Sequence, residues 1–197
     1  FYQESYASPS AADYDNDGDL DLFFTTVYGV ASFGRKNNSV LFRNDGNFKF
    51  VNATGESKLN GLPPTYQAAW ADFDNDGDLD LMAAGRFFVN GGEKGHHWLK
   101  VRPVGTVSNR DGFGAQVTIT VGGRSQYQEV LSGSSYLSQT SRELDFGLGS
   151  AARVEVIEVF WPASGTVDRL LDVEADQIFG SMEAALTKLN ADLWDAE

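Results

Sequence analysis

"ADYDNDGDLDLFF" at residues 12–24 returns as "ADFDNDGDLDLMA" at residues 71–83. Each copy sets five aspartates on alternate positions, Asp13, Asp15, Asp17, Asp19 and Asp21 in one, and Asp72, Asp74, Asp76, Asp78 and Asp80 in the other. Carboxylates that close repel one another, so a folded loop of this kind needs a counter-charge. Each loop reads D-x-D-x-D-G-D-x-D. Ca²⁺ is a hard cation that takes six to eight oxygens at about 2.3–2.6 Å, and a tightly wound loop with alternate carboxylates supplies them. Gly18 and Gly77 stand at position 6, where the chain must turn sharply and a Cβ would obstruct it.

The spacing predicts two Ca²⁺ sites. Asp13, Asp15, Asp17 and Asp21 would give side-chain oxygens in one, and Asp72, Asp74, Asp76 and Asp80 in the other. By analogy with other calcium loops, Asp19 and Asp78 at position 7 would offer backbone carbonyls. An EF-hand is excluded, because its twelfth position requires a bidentate Glu and Phe24 and Ala83 stand there. Mg²⁺ fits less well, since it prefers a rigid octahedron and keeps several waters. A solvated acidic turn would explain one such loop, because Asp-Gly is a common turn pair. Two matched copies with glycine in register argue against it.

The copies are 59 residues apart, from Asp13 to Asp72. "SVLFRNDGNFKF" at 39–50 follows the first and "GRFFVNGGEKG" at 85–95 the second, and the two are expected to be equivalent segments of the repeat. Each unit then reads as acidic loop, strand, connection, strand, Asn-Gly-type turn, strand. Leu20, Leu22 and Phe24, like Leu79, Leu81 and Ala83, alternate with the period of a strand. Trp70 is expected to pack beneath the second loop.

From about His97 the texture changes to short runs, "HWLKVRPV", "GAQVTITVG", "SQYQEVL", "ELDFGLG" and "RVEVIEVFWP", divided by turn residues. That spacing favours an antiparallel sandwich or barrel. A helix is expected after Ser181, with Met182, Leu186, Leu189 and Leu193 on one face. The expected organisation is therefore all-β: two calcium-binding repeats over 1–95, a β-sandwich over 96–180, and a short C-terminal amphipathic α-helix over 181–197.

Composition bounds the function. The 197 residues carry a formal charge of −13, which disfavours nucleic acid and anionic membranes as partners. The chain has no cysteine, which excludes thiolate metal sites and cysteine nucleophiles. No apolar run approaches a membrane span. A first residue Phe1 rather than Met fits a processed, secreted product.

Further along the chain, catalysis has little support. His96 and His97, the two histidines, are adjacent, so on a strand they point to opposite faces and cannot easily hold one metal. No G-x-S-x-G elbow occurs, and Glu155 and Glu158 read as strand-surface positions rather than a glycosidase pair. Tyr127, Tyr136 and Trp161 could build an aromatic sugar platform, although such residues in a sandwich usually belong to the core. Asn37-Asn38-Ser39 and Asn52-Ala53-Thr54 are glycosylation sequons.

The acidic loops, with "LFRNDGNFKFVNAT" behind the first, resemble FG-GAP/VCBS-type repeats, which form blades of calcium-binding β-propellers. The second half resembles the ASPIC/UnbV domain of secreted acidic proteins related to cartilage acidic protein. Asn109–Arg110 with Gly114–Ala115, "YLSQ" at 136–139, "FGLG" at 146–149 and "WPASG" at 161–165 carry that resemblance. Together they imply an extracellular, calcium-loaded structural or adhesion protein, with no catalytic residues to transfer. A closed propeller needs about four to eight blades, and two cannot close a ring. Copies of the chain are therefore expected to self-associate, as an oligomer or filament, unless the repeats pack on the sandwich of the same chain. Matrix or surface glycans are the other expected partners. The rival readings are a carbohydrate-binding module or an accessory domain of a larger secreted protein.

Overall fold

The structure, a computed structural model, describes residues 6–28, 34, 36–133, 137–139 and 141–180. The helix expected over 181–197 lies outside the described residues. The described chain is built of strands, β1 to β14, and divides into two compact units. No helix among the described residues is long and apolar enough to cross a membrane.

The first unit takes in Phe1–Asp15, Asp19–Glu93 and Gly133–Ser141. It holds two antiparallel meanders. In the first, β1 (Tyr6–Ala12), β2 (Asp21–Thr26), β3 (Val40–Asn44) and β4 (Phe50–Asn52) pair in chain order. Pro9 lies in edge strand β1 at a register irregularity, where its missing N–H is tolerated. In the second, β5 (Ala68–Ala71), β6 (Asp80–Ala83) and β7 (Arg86–Phe88) pair in order and stop. Neither sheet closes on itself.

Here the two repeats differ. Residues 27–39 separate β2 from β3, whereas Ala84 and Gly85 alone join β6 to β7. Both have positive φ, 52° and 67°, the backbone of a two-residue hairpin turn. The second repeat also lacks its expected last strand, because β8, the next in the chain, pairs with β11 and β14 instead.

Alternation places opposite faces of the two meanders against one core. On β2, Phe23 is fully buried while Leu22 and Phe24 are half-buried. On β6, Leu81 and Ala83 are buried while Met82 is exposed. Phe23 and Leu41 from the first sheet and Ala68, Trp70, Leu81 and Ala83 from the second share one apolar cluster, joined by Leu59 and Leu62. The Trp70 ring meets Phe23 edge-on at 6.2 Å, and its Nε1–H donates to Ser10 Oγ at 3.1 Å. Trp70 thus fastens one meander to the other rather than simply underlying its own loop.

The second unit comprises Asn16–Gly18, Lys94–Ser132 and Arg142–Glu197. One sheet has the order β10-β9-β12-β13, from Arg124–Glu129, Gln116–Val121, Arg153–Trp161 and Thr166–Glu174. The other has the order β11-β8-β14, from Leu144–Gly149, His97–Arg102 and Gln177–Gly180. Leu99, Val101 and Phe146 from one sheet and Val117, Ile119, Ile157 and Val159 from the other form a single core, as the alternating patterns of a two-sheet sandwich require. The pairing is not wholly antiparallel as expected, because β14 runs parallel to β8.

Candidate metal centres

Each acidic stretch connects two antiparallel strands, residues 13–20 between β1 and β2 and 72–79 between β5 and β6. The backbone follows one path in both. Asn16 and Asn75 have φ of 57° and 62°, and Gly18 and Gly77 have 91° and 93°. Asparagine tolerates the left-handed region and glycine removes its steric cost. The sequence thus turns each loop back on itself at equivalent positions.

That path gathers carboxylates. Oxygens of Asp13, Asp15 and Asp21 lie within 4.8 Å of one another, as do those of Asp72, Asp74 and Asp80. Three hard anionic donors at that separation suit a divalent cation bound through oxygen. Asp17 and Asp76 at position 5, and Asp19 and Asp78 at position 7, fall outside these groups of three. The position-7 side chains turn towards the following Asn-x-Gly stretch instead. A Cβ built on Gly46 would lie 3.6 Å from Asp19 Oδ2, and one on Gly92 would overlap the Asp78 carboxylate.

Asp76 shows the charge problem directly. Partial desolvation by its neighbours, and then repulsion from Asp74 and Asp72, pushes its carboxyl above the ordinary value, against donation from the Asp78 N–H. The Asp72 carboxylate also accepts the Gly77 N–H at 3.0 Å, bracing the loop across its turn.

A second set of contacts holds each cluster in place. Asp21 is 1% exposed; one oxygen accepts the Tyr14 N–H at 3.1 Å and the other the Asn44 N–H at 2.8 Å. Asp80, also 1% exposed, accepts from the Phe73 N–H at 2.9 Å and the Asn90 N–H at 2.7 Å. The last aspartate of each loop thus ties the loop's second residue to an asparagine, Asn44 at the end of β3 in one and Asn90 just beyond β7 in the other. Asn44 Nδ2 donates to Leu20 O at 3.3 Å, and Asn90 Nδ2 to Leu79 O at 3.2 Å. Asn90 goes further, donating to Tyr14 O of the first loop at 2.6 Å. Asn44 and Asn90 escaped the reading of the sequence as site residues. Their signal was the N-x-G triplet, Asn44-Asp45-Gly46 and Asn90-Gly91-Gly92, behind each acidic loop.

The remaining expected sites fare differently. Trp161 is 1% exposed in the sandwich core, with its Nε1–H on Asp168 Oδ2 at 2.8 Å. It cannot serve a sugar platform, because alternation along β12 turns it inward. Tyr127 is exposed, and Tyr136 lies outside the described residues. His97 pairs with Asp176 at 2.7 Å. Asn37 of the first sequon is buried, whereas Asn52 of the second is exposed.

Duplicated acidic hairpin loops on β-meanders, followed in sequence by a two-sheet β unit, define the class. Residues 13–83 match the FG-GAP-like repeat family and residues 105–185 match the ASPIC and UnbV family. Both matches fall in the parts of the chain whose motifs carry the two resemblances, and the second runs past Gly180, the end expected for the sandwich. Among named proteins it is similar to cartilage acidic protein 1 of Mus musculus, 29% identical over 168 residues, covering 81% of this chain and 26% of the relative. It is similar also to cartilage acidic protein 1 of Homo sapiens, 28% identical over 167 residues (80% and 25%), and of Xenopus tropicalis, 29% over 188 residues (83% and 28%). The chain spans about a quarter of the length of these relatives.

Proposed function

We propose that the chain is an extracellular structural or adhesion module in which Ca²⁺ bound at two hairpin loops holds a pair of propeller-blade-like repeats, and that copies of it self-associate. One observation carries the calcium reading: two separate loops bring three carboxylates together within 4.8 Å on the same backbone path. Asp13, Asp15 and Asp21, and Asp72, Asp74 and Asp80, would supply side-chain oxygens, with Asp17 and Asp76 completing the set. Asp19 and Asp78, whose side chains are engaged elsewhere, would contribute backbone carbonyls. The ion's role is electrostatic, neutralising carboxylates that otherwise repel. No residue is assigned to catalysis. The extracellular setting is supported by the similarity to cartilage acidic protein 1 and by the calcium chemistry, since extracellular modules bind with Kd of about 10⁻⁴–10⁻³ M.

Calorimetric titration should find two calcium sites per chain, and a chelator should lower the melting temperature. At free calcium tenfold above Kd, each site adds about 1.4 kcal/mol to stability. A melt unchanged by chelator, together with no heat of calcium binding, would overturn the reading.

A further inference from the structure

The two meanders of the first unit are copies, yet only one of them has its apolar outer row covered. Tyr14, Phe23 and Leu41 lie on the face of the first sheet that meets the second. Phe23 and Leu41 are 0% and 1% exposed, and Tyr14 packs against the shared core. The 59-residue offset turns Tyr14 into Phe73 and Phe23 into Met82. Strand register turns Leu41, the partner of Phe23, into Phe87, the partner of Met82. Those three counterparts are 72%, 57% and 45% exposed, and the Phe73 and Phe87 rings pack together in water at 4.8 Å. Large apolar side chains gathered on one sheet face mark an interaction surface.

We infer that this face of the second meander binds the first meander of a second copy of the chain, repeating between molecules the contact already made within one. The inference rests on the self-association just proposed and names its surface. The matching face, half-buried, lies on the same molecule. In the internal contact the second sheet offers Leu81, Ala83 and Phe88 to the core. Their counterparts on the first sheet are Leu22, Phe24 and Phe42, by the same offset and by the pairing of Leu22 with Phe42 and Leu81 with Phe88. Phe24 and Phe42 form an edge-on pair at 6.1 Å on that opposite face. One face meets a different face, so the association is head-to-tail and builds rings or filaments rather than a symmetric dimer.

Sedimentation of the whole chain in saturating calcium tests this, with Phe87→Glu and Met82→Glu as variants on exposed positions that leave the internal core untouched. The unmodified chain should gain mass with concentration, and either variant should weaken association by about tenfold or more, as a central apolar anchor does, while melting like the parent when dilute. Mixing the Phe87→Glu chain with the unmodified chain should cap growth, because its intact first meander still binds while its own second meander accepts nothing. A chain that binds two calcium ions yet stays monomeric overturns this inference alone. Variants that associate as the parent does overturn the choice of face, and a chain that binds no calcium overturns the reading beneath it.

Discussion

The acidic loops at 13–21 and 72–80 differ at one residue in nine, Tyr14 against Phe73, yet they stand in different surroundings. Asp13 and Asn16 are buried, at 4% and 3% exposure, whereas Asp74, Asn75 and Asp76 are exposed. Asn16–Gly18 at the first tip belongs to the second compact unit, and no part of the second loop does. The backbone angles and the hydrogen bonds to Asp21 and Asp80 are nevertheless the same in kind. Loop geometry is therefore written locally, by asparagine, glycine and the closing aspartate. Exposure is not set by those residues, which are nearly identical in the two loops.

Substitution at the closing aspartate tests that likeness hardest. Asp21→Ala and Asp80→Ala each strand two backbone N–H groups, the Asn44 one buried and the other three partly buried, and should each cost roughly 2 kcal/mol in chemical denaturation. A large loss at one and little at the other would mean that the loops are not built alike. The glycines that follow should separate the repeats. Gly92→Ala combines a positive φ of 65° with overlap on Asp78 and should cost about 2 kcal/mol or more. Gly46→Ala, at φ 86° with its nearest contact 3.6 Å away, should cost about 1 kcal/mol. Equal losses would remove the distinction between the two turns.

Asp76→Asn should have the smallest effect, and its sign should depend on calcium. A carboxyl held above its ordinary pKa in the folded state stabilises at low pH and loses that contribution as pH rises through the folded value. In chelator at neutral pH the amide should therefore raise the melting temperature slightly by removing repulsion. In calcium it should lower it by removing a ligand. A change of the same sign in both conditions would place Asp76 outside the site.

Much of the fold was legible because strands alternate. The runs "HWLKVRPV" and "RVEVIEVFWP" announce β8 and β12. Trp161 belongs to that same alternation, and its inward position follows from strand phase rather than from its chemistry. The parallel pairing of β14 with β8 was not legible, because a strand's pattern records which face is buried and not its neighbour's direction. Leu20, Leu22 and Phe24 looked equivalent to Leu79, Leu81 and Ala83. Phe23 is nevertheless the core residue on one strand, while Leu81 and Ala83 are on the other. Both phases are apolar, so neither sheet declares from its own residues which face will be covered. At the candidate metal centres the ten aspartates were plain, whereas Asn44 and Asn90 were hidden by connections of unequal length.

By itself the sequence determined the two loop conformations, the gathering of carboxylates and the all-β character. These depend on backbone preferences and on periods of a few residues. Tertiary structure alone decided which of two similar sheet faces is buried, where Trp70 docks, and that the second meander stops at three strands with Met82 and Phe87 in water. Those outcomes depend on contacts between residues far apart in the chain, and a repeated motif carries no record of what stands next to each copy.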